Sequence, residues 1–318
     1  MNVFVMDPIA PSAVERLRKA HTVVDYPESR AADWHAHADA VVVRTFEVRA
    51  SDFSKAKKLK IVAKHGTGVD NIDIPAANDA GVLVTNTPGA NANAVAEYAL
   101  AITLALARKV CVADRALRHP HPMQRHAGIE ISGKAIGLIG FGDIGRRTAR
   151  LFKAAFGSAL LVYDPKAPDA ALEELGAVRI NTLHDLLPAC DVISLHVPLL
   201  ASTRYLIGAS EFELMRHSAL LVNVARGGIV DESALYRALA RGRIAGAASD
   251  VFETEPVSAS HPLLTLDNFV ASPHIAASSE ESLVRMGHAA AHAVIEALAA
   301  RIPPHRIVDG PDITHINA

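Results

Sequence analysis

Cysteine is scarce in this chain of 318 residues, with Cys111 and Cys190 the whole supply. They stand too far apart in sequence to form a metal-spaced cluster, and no disulfide scaffold is built from so few. Free thiols in a reducing cytoplasm account for both. An excess of one charge is also missing. Lys and Arg number 32 against 34 acidic residues, a formal net charge of -2, so electrostatics supplies no attraction to nucleic acid or to an anionic membrane. Nor is there a long hydrophobic run. The longest apolar stretch, Ala94 to Ala107, carries Glu97 and is too short to span a bilayer. The opening Met1-Asn-Val-Phe-Val-Met-Asp7 is short and lacks a basic start, so it reads as a first strand and not as a signal peptide. No repeat period and no low-complexity tract stand out. A soluble, cytoplasmic, globular protein without a metal site is the expectation.

What is present is hydrophobic and ordered in short alternations. Half the residues are hydrophobic and 21% are charged, enough apolar material for two domains of ordinary size. From Asn2 to Val84, apolar runs at 3–6, 23–26, 40–43, 60–63 and 82–85 read as strands. Helix-period segments at 12–20, 28–37 and 75–80 fall between them, the last closed by Gly81. Such alternation implies βαβ units and a parallel sheet. A longer helical pattern from Asn91 to Arg108 follows. The stretch from Arg108 to Gly133 then reads as irregular, most broken at His119-Pro-His-Pro122.

The stretch from Lys134 to Pro165 carries the clearest chemistry. Lys134-Ala-Ile-Gly-Leu-Ile-Gly140 reads as a buried strand, and it runs into Gly140-Phe-Gly-Asp-Ile-Gly145 at the head of a helical pattern. A second apolar run, Leu160 to Tyr163, ends at Asp164, 19 residues beyond Gly145. Strand, G-x-G-x-x-G, helix, strand and acid make the dinucleotide-binding fingerprint. Gly140 allows the tight turn, Gly142 admits a pyrophosphate to the backbone, and Gly145 lets the helix close on its strand. The helix N-terminus offers amides and a positive dipole end to phosphates. Asp164 suits a ribose diol and repels a 2′-phosphate, which favours NAD over NADP. Further strands are expected at 191–196, 219–225, 244–251 and 268–272, with helix starts at Ser210, Asp231 and Ser278. That makes about six strands, a complete dinucleotide-binding sheet.

Ligands of open parallel sheets gather beyond the C-terminal ends of the strands. Arg226, Glu255 and His274 all fall where strands have just ended. A guanidinium grips carboxylate and carbonyl oxygens, an imidazole exchanges protons near neutrality, and a carboxylate orients the imidazole. Taken singly, each has a plainer reading: a helix-terminal arginine, a loop acid beside a proline, and one of 16 histidines.

The sequence resembles the D-isomer-specific 2-hydroxyacid dehydrogenase family, and within it the D-3-phosphoglycerate dehydrogenase branch. The matching stretches are 66–73, 86–88, 137–145, 224–232, 250–256 and 272–274, which include Gly66-Thr-Gly68, Val224-Ala-Arg-Gly-Gly228 and Ser272-Pro-His274. The resemblance implies an α/β chain of two doubly wound parallel-sheet domains, a Rossmann NAD domain (93–282) inserted in a flavodoxin-like substrate domain (1–92 and 283–318). It implies Arg226, Glu255 and His274 as the catalytic trio and NAD as the cofactor. Cofactor contacts are implied at Asp143, Ile144, Asp164, Val197, Pro198, Val224, Ala225 and Asp250, beside the three glycines. The amides of Thr67 and Gly68 are expected to hold a substrate carboxylate, and Arg44 or Lys64 to face a charged substrate group. The expected activity is hydride transfer between NADH and a small 2-keto acid, with 3-phosphohydroxypyruvate, hydroxypyruvate and glyoxylate as candidates. A homodimer through the NAD domain is the expected assembly. The chain ends at Ala318, so serine feedback through an added C-terminal domain is not expected. The rival reading is an NAD-sensing interaction protein, like the corepressors built on this fold.

Overall fold

The computed structural model describes residues 1–118 and 127–301. The broken point at 119–122 and the Pro303-Pro304 tail therefore lie outside the described residues. The chain divides into two compact units, one of Met1–Asn91 with the chain from Ser278 on, the other of Ala92–Ala277. The sequence reading sets these borders at 92/93 and 282/283. Both units are α/β with wholly parallel sheets.

The first unit holds β1 (Asn2–Val5), β2 (Thr22–Val24), β3 (Ala40–Val43), β4 (Ile61–Lys64) and β5 (Leu83–Thr85), in the order β2-β1-β3-β4-β5. This is the flavodoxin-like order, with its topological switch point between β1 and β3. Successive residues of each strand serve opposite faces. Phe4, Val41 and Val62 enter one core with Trp34 and Phe53. Val3, Val5, Val42 and Ile61 enter another, closed by Leu17 and by Ala290, Ala291 and Val294 of the helix Glu280–Leu298. Strands buried on both faces must read as continuous apolar runs, and these do.

At the switch point Asp7 is buried and binds the turn that leaves β3. Its Oδ2 accepts the amides of Arg44, Thr45 and Phe46 at 2.6, 2.9 and 2.9 Å. Its Oδ1 takes the Thr45 hydroxyl at 2.8 Å and Arg30 Nη2 at 2.6 Å. Burial pushes its carboxyl up, but the Phe46, Arg44 and Thr45 donors outweigh that and hold it below the usual carboxylate range.

The second unit holds β6 (Ala135–Ile139), β7 (Ala159–Tyr163), β8 (Ala177–Arg179), β9 (Val192–Leu195), β10 (Leu220–Asn223), β11 (Gly246–Ser249) and β12 (Phe269–Ala271). Their order is β12-β11-β10-β9-β6-β7-β8, a Rossmann sheet whose switch point lies between β6 and β9. Ile136, Leu138, Val192 and Val222 pack on one face with Phe152 and Ile102, and Ile139, Ile193, Leu195 and Leu221 on the other with Phe212 and Leu235.

The structure corrects several sequence expectations. β8 makes seven strands where about six are expected; it is a three-residue edge strand with no apolar run to announce it. The segment after Arg108 is not irregular throughout, because Val110–Arg118 is a helix, set off by Lys109 at φ 55° and tied by an Asp114–Arg118 pair at 2.8 Å. The expected helix 28–37 is two short ones, Glu28–Ala31 and Trp34–His37, since Asp33 caps a new start by accepting the Ala36 amide. The helix Ala50–Lys55 lies in a stretch not read as helical. The start at Ser210 moves to Gly208, whose amide is taken by Glu211 Oε2 at 2.9 Å, and the start at Ser278 moves to Ser279. Asp231 caps its helix as expected, with the Ala234 amide on Oδ1 at 2.9 Å. Among the described residues no helix is long and apolar enough to cross a membrane.

Candidate active site

At the end of β6 the glycines differ in what they do. Gly140 has φ 93°, a backbone conformation that side chains rarely adopt, and a Cβ there would meet His196 O at 2.6 Å. A Cβ on Gly145 would strike Gly140 O at 2.3 Å, so the helix Asp143–Phe156 packs on the turn only because that side chain is missing. A Cβ on Gly142 would meet nothing within 4 Å, and no side chain caps the helix start at this residue. The helix amides are thus open to an anion, and the arrangement fits the pyrophosphate of a dinucleotide. Asp164, at the end of β7, receives the Phe141 amide on Oδ2 at 2.7 Å and the Lys166 amide on Oδ1 at 2.8 Å. Its carboxylate therefore braces the glycine turn and still has acceptor capacity for a ribose. Asp143 pairs with Arg147 at 3.0 Å, Ile144 packs on the core beneath the helix, and Val197 lies against Gly140. The Pro198 carbonyl accepts Thr203 Oγ1 at 2.6 Å, while Val224 and Ala225 are buried.

The three chemistry-bearing side chains follow β10, β11 and β12, neighbours in the sheet. His274 Nδ1 lies 2.7 Å from Glu255 Oε2. A carboxylate only accepts, so Nδ1 carries the proton and Nε2 is left for other partners. Partial burial pushes the Glu255 carboxyl up, but the His274 hydrogen bond, the Phe252 amide at 3.0 Å on Oε1, and the charges of His274 and Arg226 outweigh it, and the net effect is downward. Glu255 stays ionised as pH falls into the acid range. The His274 and Glu255 side chains are 48% and 37% exposed, so a substrate has access to them. His274 is itself strained, at φ 55°. Asp250 holds it there: its main-chain oxygen takes the His274 amide at 2.7 Å, and its buried carboxylate takes Ser272 Oγ, the Ile275 amide and the Ala276 amide at 2.6, 2.8 and 2.8 Å. Arg226 sits on a turn folded by Asn223, whose amide donates to Arg226 O at 2.9 Å and whose oxygen takes the Ala225 amide at 3.0 Å. Arg226 Nη1 donates to Ala225 O at 2.6 Å.

Comparison with known proteins decides the family. The model of the D-isomer specific 2-hydroxyacid dehydrogenase NAD binding domain matches residues 100–276, more than half of the chain. The chain belongs to this dehydrogenase family. It is 40% identical to a D-3-phosphoglycerate dehydrogenase of Archaeoglobus fulgidus, over 98% of this chain and 60% of the relative. It is 38% identical to a glyoxylate reductase of Aeropyrum pernix, over 96% of this chain and 95% of the relative. It thus spans 60% of the length of the phosphoglycerate dehydrogenases it matches first. The structure of TT0316 protein from Thermus thermophilus superposes with a TM-score of 0.88 at 32% identity, covering 97% of this chain and 100% of that one.

In the other unit of this family member, the Gly66-Thr-Gly68 loop is pinned from below. The Gly66 amide donates to Thr87 Oγ1 at 3.1 Å, Asn86 Nδ2 donates to Thr67 O at 2.8 Å, and Thr67 Oγ1 donates to Asn91 Oδ1 at 3.0 Å. The amides of Thr67 and Gly68 make no hydrogen bond among the described residues, which suits a carboxylate ligand. Arg44 Nη2 donates to Ser278 Oγ at 2.7 Å, and Lys64 Nζ donates to Arg44 O at 2.6 Å. His65 is buried, with Nε2 3.2 Å from Leu283 O. The sequence reading has Ser272 in a matched stretch but not its bond to Asp250, and leaves Asn223 out of the site; the signal for Asn223 is a polar residue closing an otherwise apolar strand.

Proposed function

We propose that this chain is an NAD-dependent D-2-hydroxyacid dehydrogenase, interconverting a small 2-keto acid and its D-2-hydroxy acid. The observation that carries the reading is the 2.7 Å His274–Glu255 contact, beside Arg226 and on the same sheet as the dinucleotide turn. When bound, the reduced dinucleotide supplies the hydride that reaches the carbonyl carbon. His274 gives the Nε2 proton to the carbonyl oxygen, and takes it back in the reverse direction. Glu255 holds the ring in the orientation this needs and stabilises the doubly protonated imidazolium, whose charge is lost as Nε2 gives up its proton and regained in the reverse direction. Arg226 polarises the carbonyl and grips the adjacent carboxylate. In the other unit, the amides of Thr67 and Gly68, which make no hydrogen bond among the described residues, and the Arg44 guanidinium are the groups this reading offers to a substrate. The names of the relatives support 3-phosphohydroxypyruvate and glyoxylate as the first substrates to try.

The test is oxidation of NADH with a panel of phosphorylated, hydroxylated and apolar 2-keto acids. Turnover with at least one is expected. Tight NADH binding with no turnover across the panel would remove the dehydrogenase reading in favour of an NAD sensor. We further propose a cytoplasmic homodimer joined through the NAD-binding unit, as the resemblance implies; a native mass at the monomer value would remove it.

Cofactor choice has its own test. Asp164→Ala removes the ribose acceptor, the repulsion toward a 2′-phosphate, and the brace on the Phe141 amide. NADH affinity is expected to fall on the order of tenfold, a loss of about 1–2 kcal/mol typical of a charged hydrogen bond. NADPH affinity is expected to hold or rise. An unchanged ratio of the two dissociation constants would contradict the ribose role.

A further inference from the structure

Glu255 is useful only where its carboxylate meets His274, yet it lies on the exposed half, 253–256, of a loop from Asp250 to Pro256 that has no secondary structure of its own. Within the loop, the Phe252 amide holds Glu255 Oε1 at 3.0 Å. From outside, the loop is held by the Tyr205 hydroxyl, which donates to Glu253 Oε2 at 2.9 Å, and by a second acid. Glu232 opens the helix Glu232–Ala240, and its Oε1 accepts the Glu253 amide at 2.7 Å, a short charge-assisted bond. The Glu232 amide answers with a longer contact to Glu253 Oε1, 3.3 Å. The other oxygen of Glu232, Oε2, is 3.0 Å from His261 Nε2. His261 touches the loop again through its ring, which meets Phe252 edge to face at 5.4 Å and 71°. A helix start is a rigid place from which to hold a loop, and a carboxylate in its first turn lies at the favourable end of the helix dipole.

From these contacts we infer that Glu232, backed by His261, is a positioning pair that keeps the Glu255 carboxylate on His274. The inference rests on the dehydrogenase reading above and extends it to residues that touch neither substrate nor cofactor. The pair looks like a second histidine–carboxylate dyad, but its exposure argues against chemistry of its own. The His261 and Glu232 side chains are 22% and 19% exposed, against 48% and 37% for His274 and Glu255. His261 Nδ1 is buried and meets no hydrogen-bond partner among the described residues, so the ring has one polar contact and that contact is Glu232. The connection runs from helix start to Glu232 carboxylate, to Glu253 amide, to Glu255, to His274 Nδ1. The Phe252 amide ties the start of the 252–255 span to the Glu255 carboxylate, and the pair holds the span at the Glu253 amide and the Phe252 ring.

The experiment compares Glu232→Ala, Glu232→Gln and His261→Ala with wild type in kcat, KM for the keto acid, NADH dissociation constant and Tm. It adds the imidazole proton resonance of His274 Nδ1 in isotope-labelled protein, assigned by its loss in His274→Asn. Glu232→Ala is expected to lower kcat on the order of tenfold, since loosening a positioned group by a fraction of an ångström has that scale. NADH affinity stays unchanged, and the Nδ1 proton signal broadens or disappears. His261→Ala moves the same readouts in the same direction. Glu232→Gln restores kcat and the signal, because its side-chain oxygen still accepts the Glu253 amide. A merely structural role would lower Tm, kcat and NADH affinity together, with no rescue by glutamine. Wild-type kcat in Glu232→Ala, glutamine as poor as alanine, or an undisturbed Nδ1 signal in Glu232→Ala would each overturn the inference. If wild type reduces no keto acid, the dehydrogenase reading has failed, and the resonance alone decides whether the pair holds Glu255 in place.

Discussion

Replacing His274 with alanine lowers keto-acid turnover by about 10²–10⁴-fold, the range for a lost general acid, and leaves NADH affinity unchanged. The dinucleotide motif and the histidine stand at different strand ends, so removing the imidazole disturbs no residue of the glycine turn. His274 has φ 55°, and alanine costs about 1 kcal/mol to stay left-handed there. Asp250 holds that turn by the His274, Ile275 and Ala276 amides, none of which depends on the side chain at 274. His274→Asn separates strain from chemistry. Asparagine tolerates the left-handed region well but offers no acidic proton, so its turnover should match that of the alanine variant. Steady-state kinetics and an NADH fluorescence titration on both variants check this. Near-wild-type turnover in either would sink the proton-transfer role, and rescue by asparagine alone would assign the loss to strain.

The parts of this molecule legible in the sequence are those where physics is local. Strands buried on both faces announce themselves as apolar runs, and a parallel sheet puts its chemistry where such runs stop. Arg226, Glu255 and His274 stand out for that reason, and so do Gly140 and Gly145, where the turn has no room for a side chain, with Gly142 open between them. Capping is legible only to within a residue or two. Ser278 and Ser279 offer the same hydroxyl, and the choice between them depends on where the chain enters the helix Glu280–Leu298. What stayed hidden are partners chosen by the fold. Glu232 and His261 are 29 positions apart and meet only because a helix start and a loop converge. Asp7 reads as a strand-end acid before a proline, whereas its task is to hold the turn after a strand 37 residues on. β8, with one neighbour and three residues, carries too little burial to imprint a pattern.

The second large effect expected is at Gly227, beside Arg226. A Cβ there would lie 1.9 Å from Phe252 O, 2.2 Å from Phe252 C and 2.7 Å from Glu253 N. All three atoms are backbone, so no side chain can swing aside. The turn carrying Arg226 and the loop carrying Glu255 approach each other closely at Gly227, and alanine forces them apart by about 1 Å, a displacement that costs on the order of 100-fold in rate when it falls between catalytic groups. Stability falls as well, by about 1–3 kcal/mol or more, as for other overpacked sites. Gly228 provides the contrast. It has φ 76°, so alanine is strained there by about 1 kcal/mol, but its nearest neighbours are the tips of Arg204 and Leu199 at 3.7 Å. Gly228→Ala should therefore lower the unfolding midpoint modestly and keep most turnover, whereas Gly227→Ala should lose turnover far beyond its loss of stability. Urea unfolding and kcat measured on both variants separate the two causes: equal turnover losses would mean that backbone strain, and not the close approach of the two loops, is what these glycines relieve.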